Sequence, residues 1–410
     1  MIARLLPPTR YLIVTFCFTL ISLKTVADET LSTPKVQAYL SLQTIVMGDP
    51  KGKIDTYFAD NSVATEAVEF SPDGQFFASV SKSKGASAQL TLWLSADASS
   101  QWQQSLDGET ECVTFTKNGR YILTGGENKK GSGALHAFDT QSGEKLDLDF
   151  SKHYPKSIEG MRFSPNGKML ATGDEAGQIV IWDSLAVHPK DWFVLAKLSV
   201  KNHTNAVADV NQIDWTQDSK FIVSAERDGD VDMYRVSDLI TQQATGPYRR
   251  FLGFAGNTVK SVRIAANGKY VAAGAGSTQG VRVWDLQSAS LVAHIPSEPV
   301  PNANSGKLLN AERYETIAFS PDSKYLLVGG TWPAWWFAAN QQENKAYTVP
   351  IVAFLLSDLS NADLPLESAR IQKFDAWRSE YFDFHPTGSM FVSGHDDGSI
   401  RLWRVKQATP

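Results

Sequence analysis

One pattern recurs seven times in this chain and limits what it can become. Apolar pairs two residues apart stand at Val68/Phe70, Val113/Phe115, Met161/Phe163, Ile213/Trp215, Val262/Ile264, Ile317/Phe319 and Phe382/Phe384. Residues two apart share one face of an extended strand. Each pair runs straight into a four-residue reversal: SPDG, TKNG, SPNG, TQDS, AANG, SPDS and HPTG. Pro, Asn, Asp, Ser and Gly are the residues a tight turn requires. A second strand follows without a gap in all seven copies: FFASVS, YILTGG, MLATGD, FIVSAE, YVAAGA, YLLVGG and MFVSGH. A period of tens of residues repeated this often makes the chain an array of one supersecondary unit.

A third strand in each unit ends on an aromatic: Trp93, Phe138, Trp182, Tyr234, Trp284, Phe354 and Trp403. The aromatic follows the second member of the pair after 23, 23, 19, 19, 20, 35 and 19 residues, so the sixth unit carries an insertion. Stretches such as 193–200, 249–254 and 290–295 can supply a fourth strand. Four antiparallel strands make one blade of a β-propeller, and seven such units predict an all-β, seven-bladed propeller over residues 53–410. The last unit stops after its third strand. The stretch 53–58 (KIDTYF) is expected to complete that blade and close the ring, which leaves no bare sheet edge. Residues 35–47 are strand-like but have no place in this scheme.

The SPDG-type turns, Trp182-Asp183, Trp284-Asp285 and the tight turns Asp228-Gly229 and Asp397-Gly398 resemble those of WD-repeat propellers. In that family a His, a Ser or Thr, an Asp and the Trp form a buried hydrogen-bonded set within a blade. The resemblance implies such a set at His203, Ser224, Asp228 and Tyr234 in the fourth unit, with Tyr in place of Trp, and at Ser393, Asp397 and Trp403 in the seventh. Only Asp139, Asp183 and Asp285 follow their aromatic, so the likeness is to the architecture rather than to a subfamily.

Ahead of the repeats, Arg4 and Arg10 precede an apolar run over 11–23, and Thr25-Val26-Ala27 offers small residues for cleavage. That reads as a signal peptide over 1–27, followed by an extension over 28–52. A run of that length is short for a permanent anchor, although a segment left uncleaved would hold the protein at the inner membrane. Cleavage would leave a net charge of −8, because Arg4, Arg10 and Lys24 are lost and no acid is. Nucleic acid and anionic lipid are therefore poor partners, and no integral span would remain. Cys112 would be the one cysteine left, which excludes an internal disulfide and favours a bacterial periplasm over a eukaryotic secreted setting.

A catalytic constellation is not evident. Gly85-Ala86-Ser87-Ala88-Gln89 only approximates a nucleophile elbow, and Gly274-Ala275-Gly276 with Gly280 has the wrong spacing for a dinucleotide loop. Asp228, Asp230 and Asp232 start like a calcium loop, but Met233 stands where Gly is needed and Leu239 where Glu is needed. His395-Asp396-Asp397 falls in a turn between strands, and His153 in the segment before a strand. No cofactor or metal is expected. The strongest functional hint is the insertion in the sixth unit, with Trp332, Trp335, Trp336 and Phe337, near which Trp377 and Arg378 should also lie. Trp and Arg dominate binding hot spots. The alternative is that these rings fold back as a small satellite core. The sequence thus predicts a non-catalytic interaction or scaffold propeller of the bacterial cell envelope, binding a protein partner through loops near blade six. The competing expectation is an enzyme or small-ligand sensor that uses the central channel.

Overall fold

The computed structural model describes residues 44–47, 63–83, 88–201, 206–254, 256–276, 279–297, 299–301, 308–310, 313–331, 351–361, 366, 370–374, 379–395 and 398–405. All of these fall in one compact unit, Leu40–Lys406. They form seven small antiparallel sheets, the blades of a propeller, plus a short hairpin of Pro299–Pro301 with Leu308–Asn310. In every blade the first strand of the repeat is innermost and pairs with the second, and the second with the third; in six of them the third also pairs with an outer strand. The outer strands of blades three, four and five are Phe193–Ser199, Arg249–Phe251 and Leu291–Ile295, where the sequence places them. Blade two has three regular strands; an isolated bridge from Phe138 to Lys145 is what stands outside them.

All seven turns have one geometry. The backbone N–H of the fourth residue donates to the carbonyl of the first, as from Gly74 to Ser71 at 2.8 Å and from Ser219 to Thr216 at 2.8 Å. That fourth residue has positive φ in every copy: Gly74, Gly119, Gly167, Ser219, Gly268, Ser323 and Gly388. Glycine takes this conformation without penalty, whereas serine does not. The two serines carry a compensating bond. Ser219 Oγ accepts the Asn166 N–H of blade three at 3.2 Å, and Ser323 Oγ accepts the Asn267 N–H of blade five at 3.0 Å.

The core lies between blades. Seven apolar clusters each combine residues of two neighbouring blades; the pairing of blades four and five, for example, buries Val223, Phe251, Phe254, Val262 and Trp284. The seam between blades seven and one is built the same way, from Val68, Phe70, Phe77, Val392, Ile400 and Leu402. Polar contacts reinforce that seam: Asp383 Oδ2 accepts the Phe70 N–H at 2.8 Å, His385 Nε2 lies 3.1 Å from the Gly74 carbonyl, and Arg404 donates to the Ala96 carbonyl at 2.9 Å.

An N-terminal strand does complete the last blade, but it is Thr44–Met47 rather than 53–58. Thr44 pairs with Trp403 and Met47 with Ile400. Thr44-Ile45-Val46 is β-branched throughout, which suits an extended pairing, and Gly48-Asp49-Pro50 is a stop signal directly after it. Part of the stretch 35–47 thereby finds its place, while 53–58 lies outside the described residues.

The turns and the closing strand are each open to test. Ser219→Ala keeps the unfavourable φ and loses the bond to Asn166, so it should destabilise by about 1–2 kcal/mol, whereas Ser219→Gly should be nearly neutral because relief of strain offsets the lost bond. Urea unfolding of both variants checks the order, and equal stability of the two would count against it. A chain lacking residues 1–47 leaves the edge of Ile400–Arg404 unpaired, and light scattering on heating should show aggregation at a lower temperature than for the full chain.

Candidate functional site

The innermost strands of the seven blades surround the channel, so their side chains are the ones that converge. Two columns of residues matter.

The first column is the residue between the members of each apolar pair: Glu69, Thr114, Arg162, Asp214, Arg263, Ala318 and Asp383. These form the channel waist. Arg162 Nη1 donates to Glu69 Oε2 at 2.9 Å, and its Nε lies 3.7 Å from Asp214 Oδ1. Glu69 Oε1 also takes the Thr114 hydroxyl at 2.7 Å and the Phe115 N–H at 3.3 Å. Asp214 Oδ2 accepts the Ile264 N–H at 2.7 Å. Arg263 Nη2 donates to the Tyr381 hydroxyl at 2.6 Å. A channel-facing strand edge has backbone N–H groups without a ladder partner, and a buried donor left unpaired is costly. The acids of one blade satisfy such donors on the next, from blade one to two, four to five, and seven to one. Burial first, then the Glu69 charge, pushes the Asp383 carboxyl up, against the opposing pull of Arg162.

The second column lies four residues before the second apolar member: Glu66, Glu111, Glu159, Asn211, Lys260, Glu315 and Glu380. In each innermost strand the pairing register slips at this residue, as between Thr65 and Ala67, Thr110 and Cys112, or Val259 and Ser261. A bulge leaves one residue out of the ladder and re-aims its side chain. The result is a collar at the mouth where the inner strands begin, called here the upper face. Lys82 Nζ pairs with Glu109 and lies 3.0 Å from Glu111 Oε1. Burial and then the Glu111 charge push Glu159 up to about 7, while the nearby Ser157 hydroxyl and the more distant charge of Lys260 act the other way. The second-to-third-strand connections also open on the upper face; the seven hairpin turns lie on the opposite, lower face.

The residues proposed for partner binding, Trp332, Trp335, Trp336, Phe337, Trp377 and Arg378, lie outside the described residues, as do His203 and Asp397 and the Gly85–Ser87 stretch. What is described is that the insertion leaves blade six at Thr331 and returns at Ile351, both ends on the upper face. Within the blades, the Trp403 indole donates to Ser393 Oγ at 2.8 Å, which meets His395 Nε2 at 2.7 Å. The histidine of this relay thus sits in the second strand. In blade four, Ser224 Oγ donates to Glu226 at 2.8 Å and the Tyr234 hydroxyl reaches Asp232 at 3.4 Å, so Ser224 and Tyr234 have separate partners and Asp228 belongs to the turn. In blade three the indole of Trp182 donates to the Tyr154 hydroxyl at 2.7 Å, which lies 2.8 Å from Thr172 Oγ1, while neighbouring His153 packs its ring against Trp182 at 4.9 Å.

Glu226, Asp230 and Asp232 place three carboxylate oxygens within 4.8 Å of one another, a grouping that could hold a cation. Arg250 already brings a positive charge there: it binds both oxygens of Asp232 at 2.7 Å and lies 3.3 Å from Asp230. Burial and the charge of Asp232 push the Glu226 carboxyl well up, which disfavours the charged form a cation would need. His395 is likewise committed to serine hydroxyls, Ser393 on one ring nitrogen and Ser379 at 3.5 Å on the other.

The collar escaped sequence reasoning because its residues fall outside the two-residue alternation. An alignment of the seven repeats on their apolar pairs exposes it as a single column of Glu, Glu, Glu, Asn, Lys, Glu, Glu.

Comparison with known proteins agrees with this geometry. The family model for the WD domain, G-beta repeat, matches residues 145–183, 196–234 and 380–404, which run through the aromatic-bearing third strands of blades three, four and seven. Nuclear distribution protein nudF of Aspergillus niger is 24% identical over 329 residues, covering 77% of this chain and 63% of that protein. A chromatin assembly factor 1 subunit of Gallus gallus is 23% identical over 194 residues, 42% of this chain and 33% of that protein. A periodic tryptophan protein 2 homolog of Caenorhabditis elegans is 26% identical over 138 residues, 33% of this chain and 13% of that protein. The chain therefore spans less than two thirds of the length of each of these relatives. With seven blades of the repeat geometry and this match, the chain is similar to the WD-repeat β-propellers.

Proposed function

We propose that this propeller is a non-catalytic interaction scaffold that receives a basic segment of a protein partner at the upper mouth of its channel. The observation that carries the reading is the collar: Glu66, Glu111, Glu159, Glu315 and Glu380 stand against Lys260 at equivalent positions around one axis. Side chains of one sign in a concave, partly buried mouth focus the field and favour a cation of matching spacing. Lysine and arginine side chains on an extended segment provide such cations. The aromatic connection between Thr331 and Ile351, with Trp377 and Arg378, is proposed to add apolar contact from blades six and seven. The N-terminal segment supports export, and we place the action in the periplasm of a bacterial cell envelope. Two relatives are named for chromatin assembly and nuclear distribution, one of them as a subunit, and a subunit's place in an assembly agrees with an interaction module.

The test is fluorescence anisotropy with a labelled Lys/Arg-rich peptide and an acidic peptide of equal length. The basic peptide should bind, weaken with salt, and lose about tenfold or more in affinity when Glu66, Glu315 and Glu380 are together changed to Gln. Equal binding of both peptides, or no loss in the triple variant, rules out the collar as the binding site.

Glu159 gives a second prediction of opposite signs. Its folded-state pKa is raised, so the charged form is disfavoured by folding, and the penalty grows as pH rises from about 4.5 towards 7. Glu159→Gln should stabilise the protein by about 1–3 kcal/mol at pH 8, leave it unchanged at pH 4, and still weaken the basic peptide. Thermal unfolding at the two pH values checks the first part.

A further inference from the structure

The lower mouth of the channel differs in kind from the upper one. There the channel widens into two adjoining hollows of about 240 and 290 Å³ that share Lys117, Arg162, Phe163 and Asp383. Their walls are the second members of the apolar pairs, among them Phe163, Trp215, Phe319 and Phe384, capped by prolines of the hairpin turns. Their floor is the charged waist.

The charges on that floor are unequally satisfied. Glu69 has Arg162, Thr114 and a backbone N–H; Asp214 has Arg162 and two backbone N–H groups; Asp383 has the Phe70 N–H. Arg162 is occupied by two acids. Arg263 is the exception. It is only 6% exposed, donates to the Val262 carbonyl at 2.9 Å and to the Tyr381 hydroxyl, and makes no ion pair among the described residues. Its guanidinium carbon also sits 5.2 Å from the centre of the Tyr381 ring. Its hydrogen-bond partners are all neutral, and the Asp383 carboxyl acts on it only through space. A buried cation hydrogen-bonded only to neutral groups is a costly arrangement, and one that a ligand carboxylate would relieve with charge-assisted hydrogen bonds. Lys117 adds a second cation at the rim.

Three features restrict the ligand. The acids of the waist repel a second negative charge, which disfavours a phosphate dianion. The aromatic walls favour an apolar, ring-bearing body. Each hollow is just smaller than the usual ligand cavity, which runs from about 300 to 1,000 Å³, so the body is a single ring. We propose that the lower mouth is a binding site for a small aromatic monocarboxylate, with the carboxylate on Arg263 and the ring among Phe163, Trp215 and Phe319. This site is independent of the upper collar.

Isothermal titration calorimetry of the full chain with phenylacetate and with neutral phenylacetamide tests it. Phenylacetate should bind saturably with a dissociation constant of about 1 mM or lower, and the amide about tenfold more weakly or not at all. Arg263→Met should abolish the difference between acid and amide, and Arg263→Lys should retain part of it. The proposal fails if acid and amide bind alike, if neither binds at about 10 mM, if a folded Arg263→Met chain binds phenylacetate as the unaltered one does, or if inorganic phosphate binds more tightly than phenylacetate. The comparison of acid with amide on the unaltered chain decides the question even where the Arg263→Met chain does not fold.

Discussion

No blade of this protein has a core of its own. Each of the seven apolar clusters is shared by two neighbouring blades, so every sheet is stable only because another lies on each of its faces. In an open array that dependence would leave two faces bare at the ends, and exposed apolar sheet faces aggregate. Closing the ring removes them. The seam of blades seven and one is therefore the contact on which the remaining six depend, and polar bonds cross it as well. Asp383 reaches the Phe70 backbone, His385 sits beside the Gly74 carbonyl with its ring 5.2 Å from Phe70, and Arg404 reaches Ala96. Thr44–Met47 then covers the last open strand edge.

The same convergence creates the sites. Seven sheets that meet around an axis bring seven equivalent side chains together at each level of the channel. At the waist the side chains serve structure first: acids of one blade satisfy the inward N–H groups of the next, and Arg162 neutralises two of those acids. At the upper mouth the bulges free one residue per strand from the ladder, and the chain uses most of those positions for glutamate. At the lower mouth the apolar pairs end, and their second members line a hollow above Arg263.

The blades were legible in the sequence because their determinants are local. The two-residue alternation, the turn residues and the aromatic of the third strand all lie within one repeat, and the structure places them as read. The closing strand was misplaced because its partner, Ile400–Arg404, is far away in sequence, and nothing near 53–58 or 44–47 tells which stretch it will meet. The hydrogen-bonded sets were partly legible. Trp403 with Ser393 is as the family pattern implies, but the third partner is His395 from the second strand, and in blade four Tyr234 and Ser224 each turn to a different carboxylate. A phenol hydroxyl and an indole N–H project to different places, so replacing one by the other changes the partner. The collar was invisible to a reading by alternation, since a bulge is a departure from alternation.

The bulges have a consequence for how such a protein can change. A residue held out of the ladder lies outside the apolar clusters, so replacing it leaves the blade's pairing in place even where, as at Glu159, it changes stability. Seven such positions stand around one axis, and neighbouring ones feel each other's charge, as Glu159 feels Glu111. The chain fills five with Glu, one with Asn and one with Lys on an unchanged scaffold. One substitution alters one of the seven rim positions, and recognition can thus drift in small steps while the disc that carries it stays the same.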